Sequence, residues 1–172
     1  MALGPEAFTI VLLPMRLIRP FVLAALLLTV AAPASADLTF IIGSNQTPSS
    51  RQTKGFAIGG GGMIATEFEY ANNGDNLEEA TPGLRTFMGN ALVQTPFPVA
   101  GFQPYATAGL GWYRERLDVR QESGFAVNTG VGVKRRIFGP LMVRVDYRVL
   151  KLKGEPIYGT VHRVYSGVHL AF

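Results

Sequence analysis

Charged side chains recur at every second position in two segments of this chain. Glu67 and Glu69 are separated by one apolar residue, and Arg144, Asp146 and Arg148 follow the same spacing. Because successive side chains of a β-strand point to opposite faces, this spacing puts each charged set on one face of a strand. Charges enclosed in a narrow interior must pair, since an unpaired buried charge is costly. The predicted network comprises Glu67, Glu69, Glu115, Lys134, Arg136, Arg144, Asp146, Arg148 and Arg163.

The histidines are badly placed for catalysis or metal binding. On a strand, His162 and His169 have opposite parity and point to opposite faces. His162 and Ser166 share a face, but four strand residues separate them by roughly 13 Å, which is beyond hydrogen-bond reach. The absence of cysteine excludes disulfides and thiolate metal sites. We therefore predict that the protein is not an enzyme and uses no cofactor or metal.

The N-terminal segment has the organisation of an export signal. Two arginines in residues 15–20 precede an apolar stretch at 21–30, and small residues lead to a cleavage site after Ala36. The apolar stretch is too short to span a bilayer as a helix, which disfavours an uncleaved anchor. We predict that residues 1–36 form a cleavable signal peptide, with Met15 as an alternative start.

Segments of period two recur through the remaining residues, 37–172, and no segment of helical period stands out. The four glycines at 59–62 leave open whether 55–72 is one strand or two. Longer polar connections at 44–54 and 73–83 alternate with tighter turns, as in barrels of the outer membrane. The pattern predicts strands near 37–43, 55–62, 64–72, 84–95, 103–116, 124–136, 141–152 and 159–172.

The two faces of these strands differ in a way that indicates their surroundings. One face of the fifth strand carries Leu110 and Trp112, and the other carries Gly109 and Gly111 beside large polar residues. A soluble barrel such as a lipocalin would expose those glycines, which shield nothing. Facing inward, they make room for large side chains, because the interior of an eight-stranded barrel holds little else. We therefore predict an all-β, eight-stranded antiparallel up-and-down transmembrane β-barrel with a polar lumen filled by side chains.

Aromatic residues lie near both ends of the predicted strands, as expected of rings at a bilayer interface. Beyond Trp112, Arg114 and Arg116 keep the same outward parity. Arginine binds phosphate bidentately, so these two either meet phosphates of outer-leaflet lipids or are solvated loop bases. The predicted girdle consists of Phe97, Phe102, Phe138 and Phe172 at the periplasmic end and Tyr70 and Trp112 towards the external end.

The last strand carries a family resemblance. It ends on Phe172, and counting back by twos gives a mainly apolar face. The segment resembles the C-terminal signal that the insertion machinery of the bacterial outer membrane recognises, here carried by Val164, Tyr165, Val168, Leu170 and Phe172. Together with the signal peptide and the strand count, it makes the mature chain similar to the small outer-membrane β-barrel superfamily that includes the OmpA transmembrane domain, OmpX and OmpW. This resemblance implies a fold rather than an activity.

These observations predict a monomeric structural or interaction protein of the bacterial outer membrane. Its expected partners are outer-membrane lipids, lipopolysaccharide and the insertion machinery. Nucleic acid is not expected, because the net charge is only +4 and the longest basic cluster is residues 134–136. The alternatives are a narrow channel for small solutes or ions, a lipid A-modifying enzyme and a soluble lipocalin-like carrier. The enzyme is disfavoured further because the chain lacks the His-x-Ser-Asn element of the lipid A deacylases.

Overall fold

A computed structural model of the chain describes residues 36–172. The predicted signal peptide, residues 1–36, lies outside this part except for Ala36. Within it, the strands form one closed antiparallel barrel in which each strand pairs with its neighbours in sequence and the last pairs with the first. The strands are β1 (Asp37–Asn45), β2 (Arg51–Gly61), β3 (Ile64–Asn73), β4 (Gly83–Gln94), β5 (Phe102–Leu117), β6 (Arg120–Phe138), β7 (Leu141–Leu152) and β8 (Thr160–Ala171). A membrane-spanning helix of sufficient length and apolarity is not found among the described residues.

The predicted eight-stranded up-and-down barrel is confirmed, and residues 55–72 form two strands. The chain turns between β2 and β3 at residues 62–63, after Gly61 at a φ of 135°, a conformation that favours glycine. We call the end of the barrel that holds this turn and Asp37 the lower end. The opposite, upper end carries the connections 46–50, 74–82, 118–119 and 153–159.

Two predicted loops are shorter in the structure. The pairing of β1 with β2 continues from Ile42 and Lys54 to Asn45 and Arg51, so the polar residues at the start of β2 belong to a strand. The β5–β6 connection predicted at 117–123 is a two-residue turn, in which Asp118 adopts a φ of 53°. Aspartate tolerates this left-handed conformation, which permits the tight turn. Both segments were predicted as loops because their residues are polar. In the structure they are ends of strands that are polar on both faces.

The side chains divide between the two faces as predicted. On β7, Val143 and Val145 are exposed on the outside of the barrel, whereas Arg144, Asp146 and Arg148 are buried inside. Inward glycines make room for the large side chains. A Cβ at Gly130 would lie 2.7 Å from Cγ of Arg148, and one at Gly132 would overlap the ring of Tyr105.

The upper part of the lumen is less polar than expected. Apolar side chains line the side formed by β4 to β8, and the opposite side holds a hydrogen bond of 2.7 Å from Nδ2 of Asn45 to Oδ1 of Asn73. The parity of β4 alone could not reveal this, because that strand carries apolar residues on both faces. The apolar cluster comprises Leu84, Met88, Tyr113, Ala126, Leu150, Leu152 and Val161.

Candidate functional site in the barrel lumen

Strands β3 and β7 face each other across the lumen. They are four steps apart in a closed ring of eight, which is the greatest separation that such a ring allows. Glu67 and Glu69 of β3 point inward, and so do Arg144, Asp146 and Arg148 of β7. Long arginine side chains on one wall can therefore reach carboxylates on the other, and the lumen becomes the site of the charge network.

Arg148 is the centre of this network. Its Nη1 donates to Oε2 of Glu69 at 2.7 Å, and its Nη2 donates to Oε1 of Glu67 at 3.0 Å. Nη2 also lies 3.4 Å from Oδ1 of Asp146. The side chain is fully buried, so one guanidinium group compensates parts of three carboxylates from two opposite walls.

Arg144 forms the second bridge across the lumen. Its Nε and Nη2 donate to the two carboxylate oxygens of Asp146 at 2.8 and 3.0 Å, which is the bidentate geometry that guanidinium groups favour. Its Nη1 donates to Oε2 of Glu67. Glu67 is thus held between Arg144 and Arg148, and β3 is bonded to β7 through both oxygens of one carboxylate.

Two tyrosines and a third arginine complete the network. The hydroxyl of Tyr165 donates to Oε1 of Glu69 at 2.6 Å, and that of Tyr105 donates to Asp146. Arg163 of β8 lies 3.7 Å from Oε1 of Glu69 and donates from Nε to Asn45 at 2.6 Å. Three carboxylates face three guanidinium groups in this network, so its formal charges cancel. Such balance is what makes burial of so many charges tolerable.

The other three residues of the predicted network lie apart from this centre. Lys134 is buried below it, with Nζ 3.3 Å from Oε1 of Gln94. Glu115 lies towards the upper end and accepts a hydrogen bond of 2.8 Å from the backbone N–H of Ile157. Arg136 is exposed at the lower end, where the β6–β7 register shifts, and donates to the carbonyl of Gly139. The inward parity of Arg136 predicted a side chain in the lumen, but the irregular end of β6 leaves it exposed.

Histidines occupy both sides of the wall, as their opposite parity predicts. His162 stacks on Tyr147 outside the barrel, with its Nδ1 2.6 Å from the tyrosine hydroxyl. His169 lies inside, with Nδ1 2.8 Å from Oγ1 of Thr39 and Nε2 3.6 Å from Oδ2 of Asp37. Among residues 36–172, no three acidic or histidine side chains come together in a way that could hold a metal ion.

The predicted girdle residues lie at the barrel surface. Four of them are exposed at the lower end: Phe97, Phe102, Phe138 and Phe172. Trp112 is exposed in the upper half and packs edge-on against Phe125, with ring centroids 6.4 Å apart. Tyr70 is partly exposed, 5.7 Å from Phe56. Of the residues predicted to signal insertion, Val164, Val168 and Phe172 are exposed outside, Leu170 is half-buried and Tyr165 points into the lumen.

Removal of a single hydroxyl should weaken the network measurably. We expect Tyr165→Phe to lower the free energy of unfolding by about 1.5–3 kcal/mol, because the lost hydrogen bond ends on a charged carboxylate. Urea titration of the protein in lipid vesicles, followed by fluorescence of the single tryptophan, measures this change. Tyr158→Phe is the control, since the Tyr158 hydroxyl forms no hydrogen bond within residues 36–172. An equal loss in both variants would contradict the assigned role of Tyr165.

A closed antiparallel barrel whose apolar side chains face outward and whose charges face inward is a β-barrel of the outer-membrane class. The chain belongs to the outer membrane protein beta-barrel domain family, whose model matches residues 21–172. No curated protein sequence matches the chain.

Solved structures share this fold. The N-terminal β-barrel domain of Pseudomonas aeruginosa OprF superposes with a TM-score of 0.63 at 16% identity, covering 80% of this chain and 97% of that one. Neisserial surface protein A gives a TM-score of 0.62 at 13% identity, covering 81% and 96%. Ail, the attachment invasion locus protein of Yersinia pestis, gives 0.50 at 14% identity, covering 81% and 97%. At these identities the likeness concerns the fold alone.

Proposed function

We propose that this protein is a monomeric, non-catalytic barrel of the bacterial outer membrane with a lumen closed to ions, and that its role is structural and interactive. The single observation that carries this proposal is the ion-pair network across the lumen between β3 and β7. The paired charges fill the narrow interior at this level and leave little space for a permeating ion.

The space around the network supports a closed lumen. Directly below it, beside Glu67 and Lys134, lies a cavity of about 10 Å³, which is room for a single water molecule. Above it, the cluster of β4 to β8 makes one side of the lumen mainly apolar, and on the opposite side Asn45 and Asn73 are hydrogen-bonded to each other. An ion would therefore have to break ion pairs and lose its water to pass.

The connections support an orientation for the barrel. At the lower end, connections 62–63 and 139–140 have two residues each and 95–101 has seven. At the upper end, 74–82 has nine residues, 153–159 seven, 46–50 five and 118–119 two, so the longer connections lie mainly at this end. Outer-membrane barrels have short periplasmic turns and longer external loops. The upper end would face the exterior, once the signal peptide at 1–36 has directed export. Outer-membrane lipids and lipopolysaccharide would surround the wall, and the insertion machinery would bind the last strand.

Conductance in planar lipid bilayers tests the closed lumen. We expect the folded protein to leave the current at the level of a protein-free bilayer across an applied voltage. Folding in the same preparation is checked by a shift in electrophoretic mobility between unheated and boiled samples. Stepwise openings from folded protein would contradict the closed lumen and favour the narrow channel instead.

A role in the envelope can be tested in cells. Strains that lack the protein should become more sensitive to detergent, and the intact gene should restore resistance. A variant with the upper connections 74–82 and 153–159 shortened separates the two parts of the proposal. If the barrel alone maintains the envelope, this variant also restores resistance; if the loops act through contacts, it does not. Unchanged resistance in the strain without the protein would contradict a structural role.

A further inference from the structure

Three arginines meet on the outer wall near the upper end. Arg85 of β4 lies directly opposite Arg114 of β5, and Arg116 follows two residues later on the same face. All three side chains are exposed. The parity of β5 predicts that Arg114 and Arg116 share a face, but only the register of β4 with β5 brings Arg85 to them.

The charge around these arginines is unbalanced. Within residues 36–172 none of the three forms an ion pair, and Arg85 donates from Nε to Oδ1 of Asn72 at 3.3 Å. Like charges directly opposite each other on neighbouring strands destabilise a sheet. The three guanidinium groups therefore create a local excess of positive charge that a bound anion would relieve.

A cavity of about 270 Å³ lies among the arginines. Asn72 and Gln121 provide amide groups in its wall, and Asp75 places one carboxylate there. Gly83, which faces Arg116 across the strand pair, also lines the cavity, and it allows close approach of the 74–82 connection, because a Cβ at that position would lie 3.0 Å from the backbone nitrogen of Asp75. Three guanidinium groups and one carboxylate give the cavity a net positive charge, which suits a phosphate group.

An aromatic cluster fixes the level of this cavity in the membrane. Trp112 lies two residues below Arg114, with Phe87 opposite it on β4 and Phe125 opposite it on β6. Aromatic rings on a barrel wall mark the boundary between hydrocarbon and head groups. Two strand residues correspond to about 7 Å, so the arginines lie at the level of the head groups and the rings below them contact acyl chains.

We propose that Arg85, Arg114 and Arg116 form a binding site for the phosphate of an outer-leaflet lipid, the phosphorylated glycolipid of lipopolysaccharide. This inference rests on the proposed function, since it requires the upper end to face the exterior. The phosphate would lie in the cavity, bound by the three guanidinium groups. The acyl chains would lie against Phe87 and Trp112 on the wall below.

Titration of the folded full-length protein in uncharged detergent with purified lipid A tests the site. Binding is followed by the fluorescence of Trp112, the single tryptophan. Replacing the three arginines together by glutamine should weaken binding by roughly tenfold or more, because several charge-assisted hydrogen bonds are lost. The matched control replaces Lys151, Arg135 and Arg136 by glutamine, three exposed residues that do not line the cavity. It removes the same charge elsewhere on the barrel and should bind as the wild type does.

Two further ligands identify what the site recognises. Dephosphorylated lipid A should bind as weakly to the wild type as lipid A does to the arginine variant. Inorganic phosphate should compete with lipid A only at far higher concentration. Equal losses in the arginine variant and the control, equal binding of the dephosphorylated lipid, or phosphate that competes as well as lipid A itself would each overturn the proposal. Because the conductance and envelope experiments do not involve lipid A binding, failure of this site leaves their outcome unaffected.

Discussion

Replacing Arg148 by methionine should lower the free energy of unfolding by about 3–5 kcal/mol, the cost of removing one partner from a buried ion-pair network. Arg148 donates to Glu69 at 2.7 Å and to Glu67 at 3.0 Å, and its side chain has no contact with solvent. Methionine replaces the aliphatic part of the arginine side chain but leaves those carboxylates with fewer partners. The lumen offers them little water in compensation, so the loss should be larger than for any exposed arginine.

Urea titration in lipid vesicles measures this effect, with Arg136→Met as the matched control. Arg136 has inward parity but is exposed. Within residues 36–172, its only polar contact is a hydrogen bond to the backbone carbonyl of Gly139. Its substitution should change the free energy of unfolding by less than about 0.5 kcal/mol. Arg148→Lys should fall between the two, because it keeps the charge but loses the planar fork. A nearly neutral Arg148→Met would show that the network does not stabilise the barrel.

Replacing Val131 by arginine should destabilise the barrel by about 2–4 kcal/mol, although Val131 is 59% exposed. Val131 lies on the outer face of β6, with Ala106 and Tyr147 as its cross-strand neighbours. In water, an exposed valine tolerates arginine well. In the middle of a bilayer, the guanidinium group must leave water or distort the membrane, and that cost falls on the folded state.

The matched control is the same change at Val119. This residue is 93% exposed and lies in the β5–β6 turn at the upper end, beyond the outer wall. Val119→Arg should change the free energy of unfolding by less than about 0.5 kcal/mol. Both variants are compared with the wild type by urea titration in vesicles. If Val131→Arg were tolerated as well as Val119→Arg, the outer wall would face water, and a soluble barrel would be the better description.

Strand number and face assignment could be predicted from sequence because both depend on short-range periodicity. Alternation of apolar and polar residues identified the strands, and glycines on the polar face, such as Gly130 and Gly132, indicated a crowded interior. Loop lengths were less predictable. The polar start of β2 and the residues around Asp118 resemble loops in composition. However, β1 and β2 stay paired through the start of β2, and β5 and β6 stay paired up to the two-residue turn that contains Asp118.

The partners within the candidate site depend on geometry that a sequence does not contain. Parity places Glu67 and Arg148 inside, but only closure of the ring brings β3 opposite β7. Parity also placed Arg136 in the network, although the irregular end of β6 turns it towards solvent. Tyr105 has inward parity as well, but its hydrogen bond to Asp146 requires the relative heights of β5 and β7.

The electrophoretic mobility of the detergent-extracted protein, with and without heating, tests the central claim most directly. A closed barrel has no free strand edge, because each strand is hydrogen-bonded on both sides, and we expect it to stay folded in detergent until it is heated. We expect to recover the protein in the membrane fraction of cells. We also expect its unheated and boiled samples to migrate differently. Recovery in the soluble periplasmic fraction, with identical migration before and after boiling, would contradict the membrane barrel.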